Sequence, residues 1–158
     1  FTSFSTHQGS KLVIDATGHE DEPAPSKPIE VDPAVLGRGV KKWRLIEDTL
    51  LVLQVDGDAT ETIDRAVRSN WLGSVKIVAA VSPDVDITDE TSLIWGIFTR
   101  FDPARDIRFT RTTVNGIAPS YEGIMGIDAT WKKGYPEPLE MDPAVVQRVD
   151  KRWNQYWV

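Results

Sequence analysis

Arginine and aspartate crowd one short stretch, Arg100-Phe101-Asp102-Pro103-Ala104-Arg105-Asp106. Two guanidiniums beside two carboxylates suit one of two tasks. Arg100 or Arg105 can grip a substrate carboxylate through a bidentate fork, or the charges can satisfy one another around a turn begun by Asp102-Pro103. Asp-Pro initiates turns so readily that the second reading is preferred. Asp84-Val85-Asp86 offers paired oxygen ligands for Mg²⁺ or Ca²⁺, placed after an apolar run, where α/β proteins keep ligand loops. Acids in that position also cap the next helix, a role that Thr88-Asp89 continues, and capping is preferred here too. Asp56-Gly57-Asp58 resembles the start of an acidic phosphoacceptor pocket, but no lysine or threonine is placed to complete one. His7 and His19 stand in or beside connectors with no cooperating nucleophile nearby. There is no Gly-x-Ser-x-Gly elbow, phosphate-cradling glycine loop or His-Glu-x-x-His pair. The chain is therefore poorly equipped as a stand-alone enzyme, and no catalytic, cofactor-binding or metal-binding residue is assigned.

Length and composition narrow the classes further. The 158 residues suffice for one domain, and 41% hydrophobic with 27% charged residues is ordinary for a soluble globular protein. A net charge of -6 argues against a nucleic-acid groove, which needs clustered lysine and arginine to displace counterions. No apolar run reaches the roughly 18–20 residues of a membrane span. The absence of cysteine excludes disulfides and thiolate chemistry and fits a cytoplasmic protein. No signal-peptide pattern of basic start and apolar centre is visible.

The elements that must position these residues follow from periodicity. Thr49–Val55 and Val75–Val81 are near-continuous apolar runs, the mark of strands covered on both faces. Asp58 with Glu61 forms a capping-box variant before a helix with Ile63, Ala66 and Val67 on one face. Residues 88–99 carry Leu93, Ile94, Ile97 and Phe98 at helical spacing, and 107–112 form a third strand. The order strand, helix, strand, helix, strand predicts an α/β fold: a small three-layer domain with a mainly parallel sheet (a βαβαβ core), extended arms and a carboxyl-terminal amphipathic helix. Asp142-Pro143 opens that last helix. On it Val145, Val146, Val149, Trp153, Tyr156 and Trp157 share one broad face, which must dock on something. Residues 18–30, rich in acid and proline, read as an extended connector.

The terminal part is written twice. Ile14-Asp15-Ala16-Thr17 recurs as Ile127-Asp128-Ala129-Thr130, and residues 28–35 recur as 138–145 with conservative changes. Val40-Lys41-Lys42-Trp43 matches Asp150-Lys151-Arg152-Trp153. Ordered matches with one small gap signal duplication. The division expected is 1–44 as a duplicated tail segment and 45–158 as the α/β domain, which includes the second tail at 124–158.

Residues 76–87, 93–106, 126–130 and 141–150 together resemble the carboxyl-terminal domain of the UbiD family of decarboxylases and carboxylases. That resemblance implies chemistry on aromatic and α,β-unsaturated acids with prenylated FMN and a metal ion. It also implies that cofactor, metal and catalytic residues belong to regions with no counterpart in this chain. They are expected on a partner catalytic chain: a larger UbiD-like subunit, or another chain of a homo-oligomer. Asp84, Asp86, Trp95, Arg100, Asp102, Pro103, Arg105, Asp106, Asp128, Asp142, Pro143, Trp153 and Trp157 are carried over as family-motif and assembly positions. Two further readings stay open: a non-catalytic oligomerisation or binding module, and a complete small enzyme that binds a carboxylate through Arg100 or Arg105.

Overall fold

The computed structural model describes residues 30–135 and 140–156. Most of the expected tail segment 1–44, with the first copy of Ile-Asp-Ala-Thr and nearly all of the acidic connector, lies outside those residues, as does Trp157. The elements are α1 (Pro33–Leu36), β1 (Val40–Ile46), β2 (Leu50–Val55), α2 (Thr60–Val67), β3 (Ile77–Val81), α3 (Glu90–Phe98), β4 (Ile107–Asn115), β5 (Ala118–Ala129) and α4 (Pro143–Lys151), then a 3₁₀ turn at Trp153–Gln155.

The five strands form one sheet in the order β1-β2-β3-β5-β4. β2 and β3 are buried along almost their whole length, as continuous apolar runs require. Alternate side chains feed two cores. On one face Leu51, Leu53, Val55, Val78 and Ala80 meet Ile63, Ala66 and Val67 of α2. On the other, Val52, Ala79 and Val81 meet Leu93 and Ile97 of α3, with Val85 and Ile87 of the preceding loop. The result is the expected three-layer α/β domain.

The sheet is less parallel than its sequence suggests. β2–β3 and β3–β5 pair in parallel, whereas β1–β2 and β4–β5 are antiparallel. The third parallel strand is β5, which ends in the Ile127-Asp128-Ala129 motif, and not the segment beginning at Ile107. Gly116 and Ile117 alone separate the paired ends Asn115 and Ala118, and so short a link joins only antiparallel neighbours. Gly116 takes φ +66, as the first central residue of a type II′ turn needs. β1 and β2 meet through a turn in which Glu47 and Asp48 both have positive φ, the type I′ arrangement.

Helix starts differ in detail from expectation. Asp58 does not cap through a reciprocal box with Glu61: Ala59 is the N-cap, Asp58 accepts from the Thr60 amide at 2.8 Å, and Glu61 pairs with Arg65. Asp89 and Asp142 are true N-caps, accepting from the Ser92 and Ala144 amides. Four long-range bonds from two side chains hold the β3–α3 loop. Buried Gln54 donates to the Pro83 and Val85 carbonyls, and Arg44 donates to those of Ile87 and Thr88.

Among the described residues the repeat is kept in one block and lost in the next: Pro33 and Pro143 each open a helix, but the following block diverges. Val40–Trp43 lies in an edge strand, whereas Asp150–Trp153 lies at the end of α4. No residue of α4 is buried, and among the described residues it makes no more than marginal contact with any element but its own terminal turn.

Candidate functional site

The carboxyl ends of β2 and β5 open into a cleft of about 530 Å³, within the range of small-ligand pockets. Gly57 and Asp58 line it after β2, Thr60 and Ile63 enter from α2, and Asp128, Thr130, Trp131 and Lys132 come from the end of β5. Arg105, Asp106 and Arg108 close the remaining side. Charge is balanced, with three carboxylates facing three cations.

Lys132 is the hub. Its ammonium donates to the carbonyls of Asp128 at 2.7 Å and Thr130 at 3.1 Å, with Arg100 O at 3.5 Å. Carboxylate oxygens of Asp128 and Asp106 lie at 3.3 and 3.7 Å. Asp106, 9% exposed, accepts from the Asp102 amide at 2.7 Å and the Tyr135 hydroxyl at 2.6 Å. Arg105 donates to the Tyr135 oxygen at 3.1 Å and pairs with Asp102. The Tyr135 phenol, first through burial and then through its bond to the anionic Asp106, is pushed up to about 12.

That shift has a definite sign. The raised value favours the neutral phenol, so its contribution to stability is full below the unfolded value of about 10 and fades as pH rises toward 12. In a UV difference titration Tyr135 is expected to ionise late, toward pH 12, and Tyr135→Phe should delete that late step. If Tyr135→Phe removes no late step, the Tyr135–Asp106 bond is not as described.

The sequence-derived positions divide into separate groups. Asp102, Pro103, Arg105 and Asp106 form the expected turn, in which the Asp102 carbonyl accepts from the amides of both Arg105 and Asp106. Arg100 does not join it: both terminal nitrogens fork onto Asp84 at 2.9 and 2.7 Å, which holds the Asp84 carboxyl below its usual range. Of the two arginines considered for gripping a carboxylate, Arg100 is committed to Asp84 and does not line the cleft, whereas Arg105 does line it. Asp86 accepts from the amide and hydroxyl of Thr88, which lowers its pKa. Among the described residues no three His, Asp or Glu side chains are grouped to hold a metal ion. Trp95, 60% exposed, stands with Ile94 and Phe98 on the outer face of α3. Asp142 and Pro143 start α4, and Trp153 follows it, half exposed.

Sequence reasoning missed Lys132, Tyr135 and Arg108. The available signal was the position of Trp131-Lys132-Lys133 directly after Asp128-Ala129-Thr130, once those residues are recognised as the carboxyl end of a parallel strand.

A three-layer α/β domain with a polar cleft at its strand ends defines the class. Its family follows from comparison. Residues 40–129 match the 3-octaprenyl-4-hydroxybenzoate carboxy-lyase (UbiD) C-terminal domain, and the chain belongs to that family. An uncharacterized protein of Archaeoglobus fulgidus is 32% identical over 112 residues, 63% of this chain and 23% of the relative. A 4-hydroxybenzoate decarboxylase subunit from Chlamydia pneumoniae is 35% identical over 71 residues, 45% of this chain and 12% of the relative. The chain thus spans a quarter or less of the length of these relatives. In fold it resembles the closed form of Sedimentibacter hydroxybenzoicus vanillic acid decarboxylase, with a TM-score of 0.50 and 19% identity, covering 75% of this chain and 29% of that one. No helix of the described residues is long and apolar enough to cross a membrane.

Proposed function

We propose that this chain is the assembly domain, as a small subunit or separated carboxyl-terminal part, of a UbiD-type enzyme that decarboxylates or carboxylates aromatic or unsaturated acids. Prenylated FMN and its metal ion sit on a larger catalytic chain or region. One observation carries the reading: in a domain of this family the apolar faces of two helices are left open. Ile94, Trp95 and Phe98 of α3 are each more than half exposed, and α4 with the turn that follows it offers Val146, Trp153 and Tyr156. Covering each large side chain contributes roughly 1.5–3 kcal/mol before ordering costs. In this reading the assembly positions are those carried over from the family; of the two tail copies, residues 31–44 pack on this chain's own core and sheet, and α4 is the copy offered to a neighbour that lacks one.

The test is co-expression with a large UbiD-like subunit, followed by native mass measurement and turnover assays. A defined complex should form, with decarboxylation in the complex and none by this chain alone. Trp95→Ala and Trp153→Ala should each weaken association roughly tenfold or more, as central aromatic contacts do. Turnover of an aromatic acid by the isolated chain supplied with prenylated FMN refutes the proposal.

A further inference from the structure

Lys132 is placed as a metal ion would be placed. Five oxygens surround its nitrogen between 2.7 and 3.7 Å: the carbonyls of Arg100, Asp128 and Thr130, and one carboxylate oxygen each from Asp106 and Asp128. The Tyr135 ring adds an aromatic face, its centroid 5.5 Å from the ammonium. We propose that these groups form a monovalent-cation site, occupied in this protein by its own tethered ammonium.

The cage is organised by contacts other than the lysine. The Asp106 oxygen also accepts from the Asp102 amide and the Tyr135 hydroxyl. The Asp128 oxygen also accepts from the amide and hydroxyl of Thr130. Asp128 lies in β5, whose parallel register with β3 pairs it with Ala80 and fixes its backbone. The oxygens therefore point inward whether or not a nitrogen lies between them. Their spacing exceeds the roughly 2.0–2.1 Å of Mg²⁺ and the roughly 2.3–2.6 Å of Ca²⁺. Backbone carbonyls replacing a hydration shell are the coordination that K⁺ accepts in channel filters, and the nearest oxygens, at 2.7, 3.1 and 3.3 Å, are spaced for K⁺ or ammonium. A tethered cation cannot leave, so the ends of β5 and α3 stay joined whatever salt surrounds them.

Lys132→Met removes the charge and keeps much of the side-chain volume. Thermal unfolding of the full chain is measured for wild type and K132M in potassium, ammonium, sodium and choline chloride at equal ionic strength. Wild type should melt at one temperature in all four. K132M should melt lower in choline, and potassium or ammonium should raise its Tm saturably by several degrees, as a ligand selective for the native state does. Equal melting of K132M in every salt overturns the proposal, as does a variant that loses nothing in choline. If K132M fails to fold, wild type decides through the NMR signal of its lysine ammonium protons. A slowly exchanging Lys132 resonance supports the cage, and exchange as fast as that of exposed lysines refutes it.

Discussion

Asp106→Ala is expected to lower the unfolding free energy by about 3 kcal/mol, the range for breaking a buried, hydrogen-bonded charge pair from one side. The carboxylate is nearly buried and serves three partners from two segments: the Asp102 amide in its own turn, and Lys132 and the Tyr135 hydroxyl after β5. Removal leaves the amide and hydroxyl without that acceptor and halves the carboxylates around the ammonium. Asp106→Asn retains the shape and one acceptor, so its cost should fall to roughly half. Urea unfolding measures both, with an unchanged m-value identifying a true stability effect. The tyrosine titration supplies an independent readout: without Asp106 the late ionisation of Tyr135 should move part of the way back, since burial, its larger cause, remains. A loss below about 1 kcal/mol for alanine would place the anchor of this network elsewhere.

Gly126→Val should cost about 2–3 kcal/mol through overpacking. α2 lies so close to β5 that a Cβ at position 126 would meet Ile63 Cγ2 at 2.5 Å and Val67 Cγ1 at 2.7 Å. Backbone conformation is not the cause, because Gly126 has no positive φ. Ile63→Ala alone should cost about 2–5 kcal/mol by leaving a cavity. Combined with Gly126→Ala, part of that cavity is filled by the new methyl, so the double mutant should be more stable than the sum of its singles by about 1 kcal/mol. Strict additivity across this cycle would mean that α2 shifts away freely and that the close approach is not enforced.

Much of the framework was legible in the residues alone. β2 and β3 announce themselves because strands buried on both faces must be apolar at every position. Asp89 and Asp142 announce helix starts because only a few side chains reach the orphan amides there. β4 is harder: Ile107 and Phe109 alternate with polar residues, the pattern of an edge strand, yet a short apolar start after a helix reads equally as a parallel strand. The repeated blocks mislead in another way. Val40-Lys41-Lys42-Trp43 pairs along β2 and is a strand, while its partner block, with no strand beside it among the described residues, ends α4 and enters the 3₁₀ turn.

The candidate site was less legible than the fold. Arg100, Arg105, Asp102 and Asp106 are neighbours in sequence, but Arg100 turns to Asp84, sixteen residues earlier. Lys132 and Tyr135 matter because parallel pairing of β3 with β5 carries the residues after Thr130 over the Asp106 turn. Apolar periodicity, caps and the ordered family motifs were therefore determined by the chain alone, since each depends on residues a few positions apart. Which strand lies third in the parallel core, where each guanidinium finds its carboxylate, and that a lysine fills an oxygen cage were decided only in three dimensions. Those outcomes depend on distances between segments that local preference does not set.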